Sequence, residues 1–337
     1  RSRLESIVEN RSRELERGLR ERVDREVTRL ESVENLVTAN AREIERIERA
    51  TFRQPDRMKE RMLYPTVQLR GNGTVGSGIL IYSRLQPDTG DSPLYTTFIL
   101  TASHVVQEVI DEPLREGAKV REIHALRADP SAETESFEGV VLAFDASRDI
   151  ALLRTNTTRE FPHLAVLASR DDLAQLDVFS PAYAVGCPLG NRPMPTLGEI
   201  SSKHKEVSGQ IFWMLNAPTY FGNSGGGVYE RAQLRLIGVS SMIYTYGKRS
   251  PTVVPHMGLF VPLGAIYDWL DARGYSFVYE GLPVPDERRR EIVFGLTRSE
   301  GGEVAADPAR TDSPPDASKS SPGLKPVIGA RRPALRP

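Results

Sequence analysis

Three patterns of apolar and polar positions follow one another along the chain. From residue 1 to 50, apolar side chains recur at Leu4, Val8, Leu15, Leu19, Val23, Val27, Leu30, Val33, Val37, Ile44 and Ile47. Steps of three, four and seven are those of one helix face. The segment from Val23 to Ile44 keeps a heptad, and the run of fours through Leu15, Leu19, Val23 and Val27 departs from it as a stutter does. Glu16/Arg20, Glu21/Arg25 and Glu45/Arg49 stand at i,i+4 in the favourable order. The pattern predicts one helix about 75 Å long at roughly 1.5 Å per residue. Its stripe is too narrow for a globular core, so it should pair with other helices as a coiled coil. A solvated single helix is the alternative. Gly18 weakens the turn it sits in.

From about residue 58 to 280 the pattern changes to short apolar, β-branched runs punctuated by Gly, Pro, Asn and Asp. Strands are predicted at Val67–Leu69, Gly78–Tyr82, Thr97–Thr101, Val140–Phe144, Ile150–Arg154, Ala182–Val185, Gln210–Leu215, Gly227–Tyr229, Leu234–Ser240 and Gly258–Val261. Helical periodicity is scarce until Leu263–Ala272. Many short strands with one terminal helix describe an all-β sandwich or one or two barrels. From about residue 282 the composition shifts, and after Thr297 Pro, Gly, Ser, Ala and Asp dominate, with Asp312-Ser313-Pro314-Pro315-Asp316 as a sample. Such a segment cannot bury enough surface to offset its chain entropy and is predicted to be disordered. Pro285 to Phe294 is read as a short helix just before it, and Arg331, Arg332 and Arg336 as a basic end.

Composition sharpens this in a few places. The 44 basic and 45 acidic residues leave a net charge of −1, which gives no average field for a nucleic-acid partner. Twelve charges of each sign lie within residues 1–50 and cancel. No run approaches 18 apolar residues, so no transmembrane helix is expected. The chain starts Arg-Ser-Arg rather than with Met and reads as a fragment or a processed form. An attachment to a membrane would then come only through an upstream anchor. The single cysteine, Cys187, excludes an intramolecular disulfide and a cysteine-built zinc site. No metal and no cofactor are expected.

Candidate chemistry begins at Phe221-Gly222-Asn223-Ser224-Gly225-Gly226-Gly227. Small neighbours let a carbonyl approach Ser224 and allow a tight turn whose N–H groups converge. A serine nucleophile needs a base, because its hydroxyl is barely ionised near neutral pH. Of five histidines, His104 follows a buried-type strand, Phe98-Ile99-Leu100-Thr101-Ala102-Ser103, and is held at its end. A carboxylate should fix the imidazole tautomer. Asp149, at the edge of the apolar run Ile150-Ala151-Leu152-Leu153, is the candidate, with Asp145 as runner-up. His124, His163, His204 and His256 have no partner at metal spacing and read as ordinary polar residues, and Cys187 reads as a buried structural thiol.

The segments FILTASHVV, SRDIALLR and GNSGGGV, in that order, resemble the chymotrypsin-like serine proteases, especially their bacterial HtrA-like and glutamyl-endopeptidase-like branch. GTVGSGILI, AVGCPLG, LIGVSS and GLFVPLGAI are similar to supporting segments of the same family, correctly interleaved. The resemblance implies two six-stranded antiparallel β-barrels with a site between them and a C-terminal helix. The organisation becomes a coiled-coil helix (1–52), a linker (53–64), a trypsin-like serine protease domain (65–280) and a mostly disordered tail (281–337). The roughly 55 residues after the protease domain hold no PDZ-like domain. By resemblance Ser224 is the nucleophile, His104 the general base and Asp149 its orienting carboxylate. Gly222, Asn223 and Ser224 form the turn around the oxyanion hole, with the N–H groups of Gly222 and Ser224 as donors. Asn223 stands where many digestive members carry the aspartate that pairs with a new N-terminus, which argues against activation by zymogen cleavage.

Pro218, Thr219, Ser240, Ser241 and Met242 are the expected substrate-binding residues. No acid lies among them, so Lys/Arg specificity is not expected, and a small or medium apolar residue before the cut is. The backbone of Ser240–Met242 should pair with an extended polypeptide substrate. Residues 1–50 should join copies of the chain. An extracytoplasmic or membrane-tethered location in a bacterium fits a stalk of this kind. The alternatives to a peptidase are an inactive trypsin-like binding module and a coiled-coil scaffold.

Overall fold

The computed structural model describes residues 17–20, 22–23, 26–42, 55–87, 92–125, 135–246, 252–295 and 325–327. It divides into two units, Arg1–Gln54 and Pro55–Pro337. In the first unit every described residue is helical. Leu19, Val23, Val27, Leu30, Val33 and Val37 are all exposed on this single chain. The expected coiled-coil positions before residue 17 and after residue 42 lie outside the described residues.

The second unit carries the β structure. Six strands close into an antiparallel barrel in the order β1 (Thr66–Gly71), β2 (Thr74–Leu85), β3 (Tyr95–Thr101), β6 (Ile150–Thr157), β5 (Glu135–Asp145), β4 (Lys119–Ala125). A second set runs β10 (Gly227–Glu230), β7 (Pro181–Gly186), β8 (Met194–Val207), β9 (Gln210–Leu215), β12 (Thr252–Pro262), β11 (Leu236–Tyr246). Pairing of β10 with β11 joins its ends. This is the all-β, chymotrypsin-like double-barrel fold, and the C-terminal helix α2 (Leu263–Ala272) follows it. A short strand, β13 (Lys325–Val327), adds to β11 inside the segment expected to be disordered.

The apolar runs that made the strands legible have a cause. Alternate residues of a strand point to opposite faces. Leu80, Ile99 and Leu153 fill the first barrel, while their neighbours Ile79, Ile81, Phe98, Leu100 and Leu152 pack into the core of the second. Strands β2, β3 and β6 are thus buried on both faces and read as continuous hydrophobic segments. Helix α2 buries Leu263, Ile266, Tyr267 and Leu270, one stripe at helical spacing.

Two barrel strands escaped the sequence reading for physical reasons. In β4 a bulge between Val120 and Ile123 breaks the alternation of buried positions. In β8 only Ile200 is fully buried, and two register shifts interrupt its pairing with β9. The packed body also runs past residue 280. Helix α3 (Asp286–Phe294) buries Ile292 and Val293. The Arg154 guanidinium donates to the Ile292 and Val293 carbonyls at 2.6 and 2.9 Å, which ties α3 to β6 of the first barrel.

Candidate active site

Each candidate side chain is delivered by a local device. Strand β3 ends at Thr101, and helix α1 (Ser103–Val109) starts at once, with Val105, Val106 and Val109 buried beneath it. His104 lies in the first turn of α1 with its side chain 11% exposed. Asp149 ends the turn before β6 in a left-handed conformation, φ 57°, which Asp adopts more readily than most residues. Asp145 builds that turn, since its Oδ1 accepts from the N–H groups of Ser147 and Arg148 and its Oδ2 from the Arg148 guanidinium. The runner-up carboxylate is therefore occupied in shaping the loop.

The Asp149 carboxylate is buried and densely bonded. It accepts from His104 Nδ1 at 2.8 Å, His104 N–H at 3.0 Å, Ser103 Oγ at 3.0 Å and Ser241 Oγ. Burial alone opposes its charge, and the His104 imidazole together with these donors outweighs burial and holds the carboxyl down at about 2. The same balance acts on His104. Burial disfavours the imidazolium, and the Asp149 charge and hydrogen bond overcome this, so its pKa lies above the ordinary 6.5.

The Ser224 turn is built by close backbone packing. Gly222 has φ +96°, and a Cβ there would stand 2.4 Å from the Cys187 carbonyl oxygen. Gly225 has φ +80°, and its Cβ would meet the Ser77 carbonyl oxygen at 2.1 Å. Only glycine fits these two positions. Leu189 N–H donates to the Phe221 carbonyl at 2.8 Å, and Gly226 N–H to the Asn223 carbonyl at 2.9 Å. These bonds turn the N–H groups of Gly222 and Ser224 the other way, and neither has an acceptor among the described residues. Asn223 serves the turn itself. Its N–H donates to the Tyr220 carbonyl at 3.1 Å, so its backbone is not free for an oxyanion. His104, Ser224, Gly222, Ser241 and Ile243 line one cleft of about 510 Å³ that also takes in Arg70, Glu108 and Glu122. In this structure the Ser224 hydroxyl donates to the Ser241 carbonyl at 3.0 Å.

The expected substrate-binding residues separate into two groups. Ser240 is not available to a substrate strand, since its N–H donates to the Gly226 carbonyl and its carbonyl accepts from Gly225 N–H. Met242 is buried in the core of the second barrel. Thr219 is buried and faces Gly258, whose Cβ would stand 2.8 Å from Thr219 Oγ1, and the Pro218 carbonyl accepts from Thr196 Oγ1. Ser241 has a second part that its sequence did not disclose, the bond to Asp149. Ser103 and Ser77 were missed entirely, because a serine beside a motif carries no mark of what its hydroxyl reaches. Cys187 is fully buried, and burial pushes its thiol up to about 12. His124 and His163 lie elsewhere, His163 against the Tyr64 ring and His256 on the Asn216 carbonyl. Among the described residues no three His, Cys, Asp or Glu are grouped to hold a metal.

Residues 76–239 match the family model of the trypsin-like peptidase domain, a span that includes His104, Asp149 and Ser224. The match supports a peptidase, and the fold around it is that of the chymotrypsin-like serine proteases. Among solved structures, the HtrA-type protease AlgW with tripeptide is 18% identical with a TM-score of 0.46, over 67% of this chain and 64% of that one. A variant of AlgW with tripeptide is 17% identical with a TM-score of 0.46, over 74% of each chain. The chain thus spans less than two thirds of the first of these. No curated protein sequence matches it.

Proposed function

We propose that the chain is a serine endopeptidase acting through an acyl-enzyme, with Ser224 as nucleophile, His104 as general base and Asp149 as the carboxylate that orients it. The observation that carries this is the buried Asp149–His104 pair, 2.8 Å at Nδ1, with His104 lining one cleft together with Ser224 and with the unengaged N–H groups of Gly222 and Ser224. A bond from Nδ1–H to Asp149 leaves Nε2 as the basic nitrogen. The Ser224 hydroxyl turns from the Ser241 carbonyl to Nε2, its oxygen bonds to the scissile carbonyl carbon, and its proton passes to His104. The oxyanion is held by the N–H groups of Gly222 and Ser224. Breakdown of the tetrahedral species breaks the C–N bond, and the leaving amine takes the proton from His104. Water repeats the sequence on the ester and frees Ser224.

The substrate is an extended polypeptide paired with the edge of β11 from Ser241 onward, with a small or medium apolar residue beside Thr219 and Gly258. Residues 1–50 join copies of the chain. The support is a row of apolar side chains at heptad steps left exposed on the single chain. A charge in that row, Leu30→Asp with Val37→Asp, is expected to lower the sedimentation coefficient to that of a monomer, and an unchanged coefficient removes the coiled coil from the reading.

The direct test is covalent labelling by a fluorophosphonate. Ser224 is expected to be the labelled residue, with labelling abolished in Ser224→Ala and slowed at least a hundredfold in His104→Ala. A folded wild-type sample that takes no label overturns the peptidase reading in favour of a binding module.

A further inference from the structure

Ser77 in β2 spends every polar atom it has on the site. Its N–H donates to the Ser224 carbonyl at 2.8 Å, and its carbonyl accepts from Thr101 Oγ1 at 2.6 Å, three residues before His104. Its Oγ donates to the Gly222 carbonyl at 2.6 Å and accepts from Cys187 N–H at 2.7 Å. The residue is fully buried, so no water replaces these partners. The two carbonyls flanking the Gly222 N–H are both held, Phe221 by Leu189 N–H and Gly222 by Ser77 Oγ. Gly222 has no Cβ to restrict it, and a peptide flip about it would swing its N–H out of the cleft.

We infer that Ser77 is a positioning residue for the oxyanion hole, acting from the first barrel on a turn of the second. The inference rests on the peptidase reading above. Ser77 touches neither substrate nor nucleophile side chain. Its hydroxyl fixes the direction of an N–H group that matters most when charge develops on the carbonyl oxygen. Ser77→Ala is expected to lower kcat about 10- to 100-fold with KM changed less than about twofold, as loss of an interaction made only in the transition state does. Affinity for a peptide boronate, whose adduct fills the oxyanion hole, falls by the same factor, while the Ki of a product peptide stays put. Ser77→Cys fills the space with a weaker donor and falls between wild type and Ser77→Ala. An unchanged kcat, or a KM and product Ki that move as far as kcat, overturns the inference. Fluorophosphonate labelling of wild-type Ser224 separates this failure from failure of the peptidase reading.

A different observation carries a second inference. Strand β10 begins only at Gly227, so β11 outruns its partner and leaves an edge beside Ser224. Strand β13 takes that edge, with Val327 opposite Ile243 and Lys325 opposite Thr245. It runs antiparallel, so its chain direction leads toward Ser241 and the nucleophile, as the acyl side of a substrate must. Pro326 has no N–H to give, and in an antiparallel ladder every second residue needs none on that side. We propose that the segment Lys325–Val327 is an intramolecular competitor for the substrate strand position. An edge filled nine-tenths of the time raises apparent KM about tenfold without touching kcat. In the full chain, Lys325→Pro with Val327→Pro removes both ladder N–H groups. The double variant is expected to show KM for a chromogenic peptide lowered at least threefold at unchanged kcat. On a Ser224→Ala background, fluorescence anisotropy should show the same gain in peptide binding. Equal KM and equal binding in the two chains overturn the proposal, and labelling of Ser224 in both shows that the peptidase reading survives.

Discussion

The two barrels contribute to the site in opposite ways. The first supplies His104 and Asp149 already bonded to each other, each at the end of a strand buried on both faces. The second supplies Ser224 on a glycine turn that holds its shape through neighbours, the Cys187–Leu189 segment and Ser77 of the other barrel. Rigidity is intrinsic on one side of the cleft and borrowed on the other. Ties cross between them, among them Ser241 to Asp149 and Ser77 to Gly222, Ser224 and Cys187. On the proposed reading, such a site gains precision only when both barrels are docked, because the proposed base and the proposed oxyanion donors lie on different barrels.

The sharpest way to break the contrast is Asp149→Asn. It keeps the shape but presents the wrong partner to Nδ1, and kcat is expected to fall about 10⁴-fold by the general behaviour of such triads. Steady-state peptide cleavage measures it, and a fall below tenfold would show that Asp149 does not orient His104. On the other side, Gly222→Ala drives a methyl into the Cys187 carbonyl. It should cost about 10²- to 10³-fold in kcat, the scale of losing one oxyanion donor. Near-wild-type turnover there would mean that the turn has slack.

Smaller effects test the frame around the pair. Arg154→Met removes the guanidinium that holds the end of α3 and is expected to lower stability by about 2–3 kcal/mol in denaturant melts. Its kcat should be unchanged, since the contact lies away from the cleft. Finally, pH separates stability from activity. Asp149 is lowered from 3.8 to about 2, so its contribution is present above 3.8 and fades as pH falls toward 2. His104 is raised from 6.5, so its contribution is present below 6.5 and is lost as pH rises through its higher folded value. The pair therefore stabilises most between these limits. In the proposed mechanism activity needs neutral His104, so kcat/KM should rise with an apparent pKa above 6.5. An acid limb centred below 6.5 would contradict the pairing.

Much of this was legible in the residue pattern. The strands carrying His104 and Asp149 stood out because both of their faces are buried, which leaves long apolar runs. The turn around Ser224 stood out because close backbone approach admits only glycine at two of its positions. Strands β4 and β8 did not stand out, because bulges and a mostly polar surface erase the period of two. Ser240 was expected to meet substrate, whereas both of its backbone groups are spent on Gly225 and Gly226.

By itself, the sequence determined the local elements, the order of the candidate triad and the choice of glycine where the chain crowds itself. Each of these follows from side-chain size, polarity and spacing along one chain. Only the tertiary structure decided which serine hydroxyls serve Asp149 and Gly222, which N–H groups stay free for an oxyanion, and which strand edge lies open beside Ser224. The serine choices are hydrogen bonds between residues 46 to 145 positions apart. A hydroxyl's partner at such distances is fixed by how strands from two barrels meet, and nothing within its own segment encodes it.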